Sequence, residues 1–157
     1  MGLLDAHKAM ASKTAVVIGG AAGHLGRGTT LGLAREGVKI ITCDTDREGL
    51  ESIAHEVAAL GTGAVTPIYG DVMDPASLDG FWDQVAGLTD HIDILVNVPG
   101  GVARSLFEHT SRASHADNIR YNYGYHIDSC QRALPLLKQS GKGGSIVNFT
   151  TDRKSVV

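Results

Sequence analysis

"VVIGGAAGHLGRG", residues 16–28, is an apolar run that breaks into glycines and then opens a helical pattern. A strand, a glycine turn and a helix start together make a ready cradle for phosphate. The first turn of a helix leaves backbone N–H groups unpaired and carries the positive end of the helix dipole. Glycines 19, 20, 23, 26 and 28 permit close approach and unusual backbone angles. His24 puts a bulky ring in mid-turn. The generic GxGxxG spacing is not met over 19–26, and the turn alone also fits a plain strand-to-helix connection.

Outward from this turn, short apolar runs alternate with helical patterns. The runs cover 14–19, 38–44, 64–70, 93–98 and 145–150. They are rich in Val and Ile with little polar alternation, which suits strands covered on both faces. Between them, 25–37 stops at Gly37, and 46–61 puts Leu50, Ile53, Val57 and Leu60 on one face before Gly61. Residues 74–88 begin with Asp74 as a cap and Pro75 at the first helical position. A long segment from about 112 to 139 carries apolar residues at steps of three or four, and Pro135 is expected to bend or loosen its last turns. Strand and helix in alternation predict an α/β fold: a three-layer, Rossmann-type, doubly wound parallel sheet. The whole of 1–157 reads as one domain.

The ends of the predicted strands carry the candidate ligand residues. Asp44 closes the second run, where a carboxylate can accept hydrogen bonds from both hydroxyls of an adenosine ribose and repel a 2′-phosphate. NAD is therefore expected in preference to NADP, with Arg47 close enough to complicate the choice. Asp44 alone could equally be a helix cap or a turn residue. Asp71 and Val72 close the third run, and "NVPGG", 97–101, closes the fourth. In an open parallel sheet, ligands bind along that edge.

These motifs, in this order from about Thr14 to Thr151, resemble the short-chain dehydrogenases/reductases. The family's TGxxxGxG is occupied by "GGAAGHLG", 19–26, with Gly20 and Gly26 matching, Gly19 for Thr and His24 for the middle Gly. "GDV", 70–72, resembles the adenine-contacting segment. "NVPG", 97–100, stands for NNAG, so Asn97 and Gly100 match while Val98 and Pro99 depart. "YNYG", 121–124, puts Asn122 at the family's helix asparagine, and "GSIVNFTT", 144–151, puts Thr151 at its catalytic serine. The resemblance implies that Gly20, Leu25 and Gly26 hold the pyrophosphate, Asp44 the ribose, Asp71 and Val72 the adenine, and Asn97 and Gly100 the middle of the cofactor. Asn122 and Thr151 would be the catalytic positions present. His24 can turn outward, donate to a phosphate, or fill the site; retained binding is expected, because Asp44, Asp71 and Asn97 stand in order around it.

What the resemblance implies for chemistry is hydride transfer between a nicotinamide and an alcohol or carbonyl, with a tyrosine as acid/base and a lysine four residues later. No Tyr-x-x-x-Lys occurs in the 157 residues; the resemblance places it beyond Val157. The chain is thus expected to be the N-terminal portion of such an enzyme, cut after the fifth strand and inactive alone. The alternative is a catalytically inactive NAD-binding or assembly subunit. Pairing through the helix of Asn122 into a homo-oligomer is also implied.

Composition excludes other classes. A net charge of −3 offers no basic footprint for nucleic acid. Without an apolar stretch of about 18 residues, no membrane span is expected. "MGLLDAHKAMASK" has no secretory apolar core, and Cys43 and Cys130 read as free thiols, so a cytoplasmic setting is expected. The seven histidines show no metal-ligand spacing, so no metal is expected. No G-x-S-x-G supports a hydrolase. A methyltransferase would share the glycine turn and the acid after the second strand, but not "NVPGG" and "SIVNFTT".

Overall fold

Val16 and its neighbours form the centre of the sheet. In the computed structural model, which describes residues 10–101, 106–139 and 141–150, strand β1 (Thr14–Ile18) is buried at every position. It pairs in parallel with β2 (Lys39–Asp44) on one side and β4 (Ile94–Asn97) on the other. Strand β3 (Ala64–Tyr69) lies beyond β2, and β5 (Ser145–Asn148) beyond β4, both parallel. The order is β3-β2-β1-β4-β5. The chain therefore works outward from β1 and then returns to β1's other side, leaving a crevice where the order reverses.

Helices cover both faces because alternate strand residues point to opposite sides. Ala15 and Val17 pack against helices α1 (Gly23–Arg35) and α2 (Arg47–Leu60), through Ala34, Leu50, Ile53 and Val57. Val16 and Ile18 face α3 (Pro75–Leu88) and a later helix, through Phe81, Trp82, Val85, Tyr125 and Leu137. Each large side chain buried in these two cores contributes about 1.5–3 kcal/mol. The three-layer parallel architecture read from the sequence is the one observed.

The outer strands differ from the inner ones. β3 is exposed at most positions and carries Pro67, which can sit only where no ladder N–H is needed. All four residues of β5 are exposed. The continuous apolar runs thus reflect cover on both faces for β1, β2 and β4, the three inner strands.

Capping follows the sequence. The Asp46 side chain accepts from Gly49 N at 3.0 Å, and α2 ends at Gly61 in the left-handed region. Asp74 accepts from Ala76 N at 3.0 Å ahead of Pro75. The expectation of one continuous helix over 112–139 is corrected. Helix α4 (Arg112–Ile119) passes into a π-helical segment, Arg120–Gly124, and then into α5 (Tyr125–Gln139). Side chains hold the wider turn in place: Arg120 Nε donates to the Met73 carbonyl at 3.1 Å, and Asn122 bonds to both backbone groups of Gly101. Helix α5 runs through Pro135 to Gln139. Among the described residues, no helix is long and apolar enough to cross a membrane.

Candidate functional site

At the carboxyl ends of β1, β2, β3 and β4 a cleft of about 640 Å3 opens over the reversal in strand order. Its first wall is the glycine turn. Gly19 N donates to the Cys43 carbonyl at 2.7 Å, tying the turn to β2. The Gly20 carbonyl accepts from Thr30 Oγ1 at 2.7 Å, tying it to α1. Gly26 packs so closely on the Gly19 carbonyl that any Cβ there would overlap it. Gly23 takes φ +65°, which lets α1 start abruptly. The Ala22 cap supplies no side-chain acceptor, and the first turn of α1 holds no acidic residue. The leading amides of α1 are thus left for an outside acceptor, and the helix's own first turn adds no negative charge.

His24 falls within the first turn of α1, and its exposed ring lines the cleft without closing it. The backbone of the turn remains accessible. Leu25, about half exposed, lines the cleft beside it.

Asp44 forms the second wall. Its Oδ2 accepts from Ala21 N at 3.1 Å and Ala22 N at 2.9 Å, and its Oδ1 from Asp46 N at 3.2 Å. The carboxylate therefore serves both as a turn-holding group and as a charged lining of the cleft. Arg47 stacks 3.8 Å from the centre of the Tyr69 ring, which keeps its guanidinium on an aromatic face. Behind Asp44, burial first and the Asp44 carboxylate next push the Cys43 thiol up to about 12, so it is inert as a nucleophile.

The loop after β3 brings Asp71 and Val72 to the cleft. Asp71 Oδ1 accepts from Met73 N at 2.8 Å, and Ser77 Oγ caps Asp71 N at 3.0 Å. The loop after β4 brings Gly100, where a Cβ would come within 3.1 Å of Asn122 Oδ1. Asn122 itself clamps Gly101, accepting from its N at 2.9 Å and donating to its O at 2.6 Å. Asn97 lies elsewhere: it is fully buried, its Nδ2 donates to Asn148 Oδ1 at 2.7 Å, and its Oδ1 has no partner among the described residues. Thr151 lies outside the described residues.

The structure thus gathers Leu25, Gly26, Asp44, Asp71, Val72 and Gly100 around one cleft, with Gly20 packed just beneath it. It leaves Asn97 in the sheet and Asn122 behind the post-β4 loop. Two cleft residues escaped the sequence reading. Pro99 packs on the turn, where a Cβ on Gly19 would lie 2.6 Å from its Cγ. Tyr121, beside Asn122 in the sequence, also lines the cleft.

A parallel sheet with helices on both faces and a crevice at the order reversal defines a Rossmann-type α/β protein. The family model described as short chain dehydrogenase matches residues 13–153, so the chain belongs to the short-chain dehydrogenase family. "Probable oxidoreductase EphD" of Mycobacterium tuberculosis is 32% identical over 138 residues, which cover 88% of this chain and 23% of that protein. Among solved structures, a 7α-hydroxysteroid dehydrogenase complexed with NADH and 7-oxo glycochenodeoxycholic acid superposes with a TM-score of 0.82 at 24% identity, covering 89% of this chain and 53% of that one. The Pseudomonas aeruginosa RhlG/NADP complex superposes with a TM-score of 0.76 at 24% identity, covering 87% and 54%. The chain spans about a quarter of EphD and about half of each of these two solved chains.

Proposed function

We propose that this chain is the cofactor-binding portion of an NAD(H)-dependent oxidoreductase acting between an alcohol and a carbonyl. The Asp44 carboxylate in the cleft carries the reading. The adenosine ribose of a dinucleotide laid along the strand ends meets this group, whose remaining acceptor capacity suits ribose hydroxyls and whose charge opposes the 2′-phosphate of NADP. The solved relatives leave both options open, since one was complexed with NADH and the other with NADP. Gly20, Leu25 and Gly26 shape the pyrophosphate side, and Asp71 and Val72 the adenine side. Gly100 serves the middle of the cofactor, with Asn97 bracing the end of β4 beneath it.

Nicotinamide, when bound, supplies the hydride. This chain's part is to fix the dinucleotide by the α1 amides and to hold the post-β4 loop through Asn122. Thr151 would orient the substrate oxygen. The proton donor would come from a Tyr-x-x-x-Lys that these 157 residues do not contain, so the chain alone binds without turnover. Residues 1–157 form one dinucleotide-binding unit in this reading. Its two thiols, Cys43 buried and Cys130 half-buried, are both unpaired, as a reducing cytoplasm requires. It pairs with a second copy through the α4–α5 face.

Titration of the chain with NADH and NADPH, followed by nicotinamide fluorescence, tests the assignment. Saturable NADH binding with weaker NADPH binding is expected. Equal affinities would remove the role given to Asp44, and no binding of either would remove the function.

A further inference from the structure

We propose that Tyr121 forms the aromatic floor of the adenine pocket and sets the affinity of the site for the adenine half of its ligand; this rests on the cofactor reading above. Three neighbours locate the ring. Arg120 is tied to the Met73 carbonyl of the post-β3 loop at 3.1 Å. Asn122 is tied to Gly101 of the post-β4 loop. Tyr121 stands between them, its Cε1 against Gly101, where an added Cβ would lie 3.4 Å away. In an α-helix three consecutive side chains diverge by about 100° each; the π-helical turn at Arg120–Gly124 is where these three are held. The phenol is half-buried, lines the cleft, and makes no hydrogen bond to a described residue. Burial, then the Asp44 and Asp71 carboxylates, raises its pKa, which puts the hydroxyl within reach of the fields of both acids that flank the adenosine end. A half-exposed aromatic face between two loops, with a free hydroxyl and two carboxylates at its rim, matches a flat base bearing an amino group. Stacking does not depend on phosphate, so the effect belongs to the base and not to the pyrophosphate.

The test uses the full chain with AMP and inorganic pyrophosphate as separate probes. Tyr121→Leu is expected to weaken AMP roughly tenfold while leaving pyrophosphate affinity unchanged; Tyr121→Phe, which keeps the face, retains AMP binding. An unchanged AMP affinity in Tyr121→Leu overturns the proposal, as does a parallel loss of AMP and pyrophosphate, which marks a merely structural role. A loss in Tyr121→Phe equal to that in Tyr121→Leu overturns the face contact in favour of the hydroxyl. Independently of any variant, NMR of the wild-type chain with AMP is expected to show contacts between adenine protons and the Tyr121 ring, and their absence overturns the proposal too. Wild-type chain that binds neither AMP nor NADH would remove the cofactor site itself.

Discussion

Asp93 sits just before β4, 8% exposed, with two kinds of partner. Its Oδ1 meets the Lys13 ammonium at 2.7 Å, and its Oδ2 accepts from Thr14 N at 2.9 Å. Burial alone would raise its pKa; the Lys13 and Thr14 bonds outweigh burial and hold the carboxyl below the usual value. A carboxylate depressed in the folded state stabilises above its unfolded value, near 3.9, and that contribution is lost as pH falls through the folded value. Asp93→Asn is expected to cost roughly 1–3 kcal/mol at neutral pH and to flatten the acid limb of a urea-melt series below about pH 4. An unchanged acid limb would contradict this. Residues 13 and 93 are 80 apart in sequence, so nothing local betrays the pair. Asp44 was legible because a strand end is a fixed place on the edge that binds ligands. Its bonds to Ala21 and Ala22 were not, since they exist only once the turn has folded back on β2.

Caps and stops were the most readable features of the elements. Asp46, Gly61 and Asp74 with Pro75 act through neighbours two or three residues away, and local chemistry decides them. The π-helical turn was hidden, because Arg120 and Asn122 are held by groups at 73 and 101 that a helical repeat does not record. Its consequence is that Tyr121, Tyr123 and Tyr125 have three fates: cleft lining, exposed surface and core. The same segment leaves an apolar stripe, Ile119, Tyr123, Ile127 and Leu134, facing outward across α4 and α5. An exposed apolar stripe suits a protein-binding face, and the proposed pairing places a second copy upon it. The chain is expected to sediment above its 16.5 kDa monomer mass, and Ile127→Glu with Leu134→Glu to return it to monomer. A monomeric wild type at micromolar concentration would refute the pairing.

Across the whole molecule, strand order creates the site. The chain leaves β1 for β2 and β3, then returns to β4, so α1 and the post-β4 loop part around one crevice. The sequence shows alternation of strands and helices, and with it the parallel sheet. The order of the strands is not in that alternation, because which strand lies beside which depends on contacts across the fold. The cover of β5 is not legible at all: Ile146 and Val147 are about two-fifths exposed on an edge strand, an unpaired edge that invites another strand. The central claim is that a dinucleotide's phosphates lie on the first turn of α1. Backbone hydrogen exchange with and without NADH tests it most directly. Slower exchange at the amides of Gly23, His24 and Leu25, with α2 unchanged, is expected. Exchange at those three amides that NADH leaves untouched, while binding is independently measurable, would contradict it.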